Sequence, residues 1–273
     1  MYQAYWQLTE KPFENTMDPR FYYPSASHQG ALLKLRYGLE NHAEAVLVAG
    51  EPGMGKTLLA GMLCNMLGHR FRPWVEIGFP QMSAEELIAY LADALEPDDS
   101  PSDPLPLHRN LRRIRRLLDQ AAQEKRHPVV VLEDAHLLTE PEWWEAVRLL
   151  LNFRSGSRSG FSFLLAAQPS LLPLLERMPS WRDRIMVQCL LRPFNPMDTS
   201  GYVGHRLKTA GATRELFEPK ALDALHQLAQ GVPRRINRLA DLALLVGYAE
   251  GQDAITAEQI EAVAEELLTT ASE

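Results

Sequence analysis

Residues 46–57 read Val-Leu-Val-Ala-Gly-Glu-Pro-Gly-Met-Gly-Lys-Thr, an apolar run followed by Gly50-x-x-x-x-Gly55-Lys56-Thr57. This is the phosphate-cradling P-loop pattern, and its flanks suit it. The apolar run reads as a buried strand, and Leu58 to Leu67 reads as a packed helix. A helix N-terminus offers an anion free backbone N–H groups and a partial positive charge. Gly50, Gly53 and Gly55 are expected to let the backbone bend tightly, through dihedrals that other residues avoid. Lys56 is expected to reach the β/γ-phosphates and the Thr57 hydroxyl to bind Mg²⁺. The expected nucleotide-binding stretch is therefore Gly50, Glu51, Pro52, Gly53, Met54, Gly55, Lys56, Thr57 and Leu58.

A chain of 273 residues can bury a large core, as one big domain or as two unequal ones. Its 46% apolar and 23% charged content is that of an ordinary soluble globular protein. The opening Met1-Tyr2-Gln3-Ala4-Tyr5-Trp6 shows no basic segment leading into an apolar one. The most apolar later stretch, around Leu239 to Gly247, is short and carries Asp241, so no direct membrane insertion is expected. Cys64 and Cys189 form no metal or redox motif and read as buried thiols in a reducing compartment. A cytoplasmic location is the expectation. From Met197 onward there are 7 Lys/Arg against 12 Asp/Glu, a net of −5 out of the total −7. Such an acidic end disfavours a nucleic-acid-binding module there.

Apolar runs alternate with helical patterns as far as Phe194-Asn195-Pro196. Strands are expected at the P-loop run, at Trp74 to Ile77, at Val129 to Leu132, at Phe161 to Ala167 and at Ile185 to Leu191. Helices are expected over residues 32–39 and over 87–95, the latter opened by the capping box Ser83-x-x-Glu86, and again after Pro141. The expected architecture is α/β, a P-loop NTPase with a doubly wound parallel sheet. Beyond the boundary only helical patterns appear, near 199–210, 219–229, 233–248 and 256–268. Two domains are expected: residues 1–196, an α/β nucleotide-binding domain with an aromatic N-terminal segment, and residues 197–273, a small all-α lid. Residues 96–106 read as an acidic, proline-rich loop and residues 155–160 as a Ser/Gly loop.

A P-loop also needs an acidic strand end, and Val129 to Asp134 supplies it. Further short motifs stand in a fixed order: Pro12-Phe13, Asp18-Pro19, Phe21-Tyr22, Leu35-x-Tyr37-Gly38-Leu39, Arg148 to Asn152, Gln168-Pro169-x-Leu171 and Arg184-Ile185. Tyr202-x-x-x-Arg206-Leu207 and Gly231-x-Pro233-Arg234-Arg235-Ile236-Asn237 follow. In this order they resemble the AAA+ ATPases, specifically the ExeA/GspA (general secretion pathway protein A) family with its short MshM-like pilus-biogenesis members. The resemblance implies ATP and Mg²⁺ as cofactors, with Mg²⁺ held by Thr57 and Glu133. It implies that Asp134 orients the attacking water, that Gln168 is the sensor-1 group and that Arg234 is the sensor-2 arginine of the lid. It also implies a homo-oligomer in which Arg184 is an arginine finger supplied in trans, with Arg182 as the alternative. Longer members carry a membrane helix and a periplasmic extension, so an envelope role here is expected to run through a partner protein.

One departure bears on rate. The family usually shows Asp then Glu at the acidic strand end, whereas this chain has Glu133 then Asp134. By position the water-orienting carboxylate is then one methylene short, about 1 Å back, and such a displacement can cost roughly 10²-fold. Slow hydrolysis is the expectation. His136 reads as structural. Arg109 to Leu118 is the concentrated basic stretch, with Leu111, Ile114, Leu117 and Leu118 as the buried stripe and the arginines facing water. That helix supports a rival reading, a DNA-dependent AAA+ regulator of the TnsC/TniB transposition type, which the net acidity disfavours. The Trp143-Trp144 pair reads as core or subunit interface.

Overall fold

The computed structural model describes residues 2–96, 104–155 and 158–269. Most of the expected acidic loop, residues 97–103, and residues 156–157 of the Ser/Gly loop lie outside the described residues. In chain order the helices and strands begin α1 (Tyr2–Tyr5), α2 (Ala26–Glu40), β1 (Ala45–Ala49), α3 (Lys56–Leu67), β2 (Trp74–Ile77), α4 (Ala84–Leu95) and α5 (Leu107–Gln123). Next come β3 (Val129–Leu132), α6 (Pro141–Leu150), β4 (Arg154–Ser155), β5 (Arg158–Ser159), β6 (Ser162–Ala167), α7 (Leu171–Glu176), α8 (Pro179–Arg182) and β7 (Ile185–Leu190). Four helices close the chain: α9 (Pro196–Thr209), α10 (Pro219–Ala229), α11 (Pro233–Glu250) and α12 (Ala257–Thr269).

Contacts divide the chain into two units. The α/β unit comprises Gln29–Pro52 and Leu59–Leu191. Its sheet has the order β2-β3-β6-β1-β7 with every pairing parallel. Every residue of β1, β3 and β6 is buried, as expected of unbroken Val/Leu/Ala runs covered on both faces. The Ser83 hydroxyl accepts from the Glu86 N–H while the Glu86 carboxylate accepts from the Ser83 N–H, so the capping box starts α4. Trp143, Trp144 and Trp181 are buried in the core, and Trp144 meets Trp181 edge-on at 5.0 Å. In α5 the buried stripe is Asn110, Ile114, Leu118 and Ala121, with Leu111 and Leu117 only half-buried. Arg113 turns to Asp93 at 2.7 Å, while Arg109, Arg112, Arg115 and Arg116 are exposed.

The helical unit comprises Met1–His28, Gly53–Leu58 and Arg192–Glu273. This division differs from the expected boundaries, which assigned the aromatic N-terminal segment to the α/β domain. Long-range hydrogen bonds explain the difference. Trp6 Nε1–H donates to the Leu244 carbonyl at 2.9 Å, and Thr9 N–H to the Ala210 carbonyl at 2.8 Å. The Arg206 guanidinium donates to the carbonyls of Pro12 and Glu14. Trp6, Phe13, Phe194, Tyr202 and Phe217 share one buried cluster with the apolar faces of α9 to α12. The α2 helix also starts six residues before the expected position 32, because polar Ser27, His28 and Gln29 hid its first turn. Among the described residues no helix is long and apolar enough to cross a membrane.

Candidate nucleotide site

The P-loop leaves β1 with Gly50 N–H donating to the Ala167 carbonyl at 3.0 Å. Gly53 and Gly55 take φ of +84° and +83°, the left-handed region that a side chain disfavours. Gly50 is not among the positive-φ glycines, which corrects the expectation for that position. The loop turns on two glycines, and a peptide already paired to β6 needs no unusual dihedral. The α3 helix begins at Lys56, so its N-terminal N–H groups come from the loop itself. Lys56 is buried, Thr57 exposed and Leu58 half-buried, while Glu51 and Pro52 are exposed. This stretch, with a helix N-terminus, paired left-handed glycines and a lysine at the turn, has the donor set that a polyphosphate requires.

Within the helical unit two further groups hold this turn. Arg234, at the start of α11, donates its backbone N–H to the Gly53 carbonyl at 3.2 Å. A Cβ placed on Gly53 would lie 2.6 Å from the Arg234 Cβ, so the backbones approach closely there. The Arg234 side chain is exposed. His28, on which no motif drew attention, donates from Nε2 to the Met54 carbonyl at 2.8 Å. Its Nδ1 lies 2.8 Å from the Ser25 hydroxyl. A carbonyl can only accept, so Nε2 carries the proton and Nδ1 accepts from serine.

In the α/β unit, β3 and β6 are neighbours, and their C-terminal ends bring Glu133, Asp134 and Gln168 to one edge of the sheet. Open parallel sheets bind ligands at that edge. Glu133 is half-buried and its N–H donates to the Ile77 carbonyl at 3.1 Å. Asp134 is exposed and adopts φ 48°, ψ 38°. Aspartate tolerates this left-handed turn better than most side chains. The strand geometry therefore ends before Asp134, and a one-methylene comparison along the strand does not fix the reach of its carboxylate. His136 Nδ1 accepts from the Gln168 N–H at 3.4 Å and lies 3.9 Å from the Asp134 carboxylate. It thus links the two strand ends, a role invisible in sequence because the partners are 32 residues apart.

Arg184 lies just before β7 with its side chain 21% exposed. It donates to Glu44, which also receives Arg154 at 3.1 Å, and to Asn152 Oδ1 at 3.4 Å. Arg182 is 59% exposed, with Asp183 at 3.5 Å as its ion pair. Of the two arginines, Arg182 is the more open to a second molecule, and Arg184 is held within its own chain. Among the described residues no cluster of three or more His, Cys, Asp or Glu could hold a metal. Mg²⁺ does not require one, since it keeps waters and takes phosphate oxygens beside one or two protein ligands. Both cysteines are free thiols.

The profile of the AAA domain family matches residues 39–175. General secretion pathway protein A of Aeromonas hydrophila is 35% identical over 261 residues, covering 93% of this chain. The match spans 46% of that relative, so the chain accounts for about half its length. Among solved structures, Cdc6p of Pyrobaculum aerophilum superposes with a TM-score of 0.72 at 19% identity, over 93% of this chain and 70% of that one. The ORC2 protein of Aeropyrum pernix gives 0.70 at 16% identity, over 94% and 71%. The RuvB Holliday junction branch migration motor of Thermotoga maritima gives 0.63 at 17% identity, over 92% and 73%. At these identities the structural likeness speaks for the fold.

Proposed function

The chain belongs to the AAA domain family, in its general secretion pathway protein A-like branch, and on that premise we propose that it is an ATP-binding, ATP-hydrolysing protein. In this reading it assembles into a ring or oligomer and assists the assembly of a cell-envelope secretion or pilus system. The observation that carries the nucleotide reading is the P-loop turn, with left-handed Gly53 and Gly55 leading into the α3 N-terminus at Lys56. The loop N–H groups and Lys56 bind phosphate oxygens, and Thr57 with Glu133 holds Mg²⁺, which neutralises developing charge when bound. Asp134 orients the attacking water and accepts its proton. Gln168, whose backbone His136 holds, marks the phosphate position, and Arg234 contacts the nucleotide from α11. In an oligomer Arg184 acts in trans once it leaves Glu44, or Arg182 takes that part. A finger of this kind is worth roughly 10³–10⁵ in rate. The envelope role rests on the 35% identity to general secretion pathway protein A and runs through a partner protein.

The exposed arginines of α5 favour one second reading, a DNA-dependent regulator of the transposition type. A single assay separates the two. ATP turnover is measured for the wild type, Glu133→Gln and Asp134→Asn, each with and without duplex DNA at low salt. We expect measurable wild-type turnover, a loss of at least about tenfold in each variant, and indifference to DNA. Stimulation by DNA that fades steeply with salt supports the second reading. Wild-type turnover no higher than blank overturns the hydrolytic assignment.

A further inference from the structure

The P-loop is not held by its own sequence alone. Two consecutive peptide planes of the turn are anchored from outside it. The first joins Gly53 to Met54, and its carbonyl accepts from the Arg234 N–H at 3.2 Å. The second joins Met54 to Gly55, and its carbonyl accepts from His28 Nε2 at 2.8 Å. In a trans peptide the C=O and the following N–H point in opposite directions. Fixing the Met54 carbonyl on the imidazole therefore aims the Gly55 N–H to the opposite side. Gly55 N–H is one of the donors by which this loop pattern cradles phosphate.

The histidine is built for that task. It is buried, packs 5.3 Å from the Phe194 ring, and receives Ser25 at Nδ1. Serine, histidine and carbonyl thus form one chain of hydrogen bonds with a single tautomer. Burial holds the imidazole below its ordinary pKa, with the Met54 hydrogen bond and then Asp198 acting in the other direction, so the ring is neutral at pH 7. No phosphate-loop pattern contains a residue 26 positions upstream, so sequence reading offers no reason to single it out.

We propose that His28 is a positioning residue of the nucleotide site, which sets phosphate affinity by orienting the Met54–Gly55 peptide. The inference rests on the nucleotide reading above and adds a residue to it. Two amide substitutions separate positioning from packing. A glutamine amide nitrogen lies as many bonds from Cα as Nε2, so His28→Gln keeps a donor for the Met54 carbonyl. An asparagine amide lies as many bonds away as Nδ1, so His28→Asn keeps the serine contact and abandons the loop.

The dissociation constant of Mg-ATP is measured by calorimetry for the wild type and both variants, alongside their thermal midpoints. We expect His28→Gln to bind within about threefold of wild type and His28→Asn to bind at least about tenfold more weakly, with similar midpoints for the two. Equal affinities for the two variants, beside a wild type that binds, overturn the role of His28 alone. A wild type that takes up no Mg-ATP overturns the nucleotide reading, and this inference with it.

Discussion

Gly53 carries two separable constraints. Its φ of +84° disfavours any side chain, and a Cβ there would meet the Arg234 Cβ at 2.6 Å. Gly55 has nearly the same φ, but its nearest neighbour would be His28 Nε2 at 3.9 Å, an ordinary contact. Gly53→Ala should therefore destabilise the protein more than Gly55→Ala, by about 1–3 kcal/mol in urea unfolding, the range of a core overpacking penalty. Equal losses would mean that the close approach to α11 is relieved at no cost. At this scale the turn was readable, because glycines at fixed spacing between a strand and a helix suit left-handed dihedrals, and Gly53 and Gly55 adopt them. Three features were not. Gly50 looks like its partners in sequence yet takes an ordinary dihedral. Asp134 leaves the strand in a left-handed turn that no spacing announces. His28 and His136 act through hydrogen bonds to backbone groups 26 and 32 residues away, which only the fold brings close.

Strand β3 shows what an element inherits from the residue that precedes it. His127, two residues before β3, is buried, and its Nε2 lies 2.8 Å from the Ser162 hydroxyl at the start of β6. The His42 ring stands edge-on at 4.4 Å. Burial, with His42 and Arg158 adding to it, pushes the His127 pKa down to about 3. The unfolded chain binds a proton near the ordinary value of 6.5, whereas the folded chain does not. The neutral ring's contribution is therefore complete above that value and is lost as pH falls toward 3. From pH 7 to pH 5 this group alone should remove about 2 kcal/mol of stability. His127→Leu should flatten that slope in urea titrations at the two pH values, and an unchanged slope would locate the acid sensitivity elsewhere. The strands themselves were legible, since unbroken Val/Leu/Ala runs have few uses other than a doubly covered parallel sheet. The start of α2 was not, because its first turn is polar.

Over the whole molecule, the two units have separate cores, and the sequence pattern located the change from strands to helices near Pro196. It did not locate the N-terminal segment. Tyr2, Trp6 and Phe13 show no periodicity, and their place with α9 to α12 is decided by long-range pairing such as Trp6 to Leu244. Assembly of copies poses a question at the same scale, because Arg184 is engaged by Glu44 within its own chain. Both assembly and turnover presuppose that the turn at Gly53 to Thr57 holds a triphosphate. Calorimetric titration of Mg-ATP into the wild type and Lys56→Ala tests that claim most directly. The account predicts saturable binding by the wild type and a loss of at least about tenfold in the variant, since a buried cation facing phosphate is removed. Absence of wild-type binding, or equal affinity in the two proteins, would contradict it.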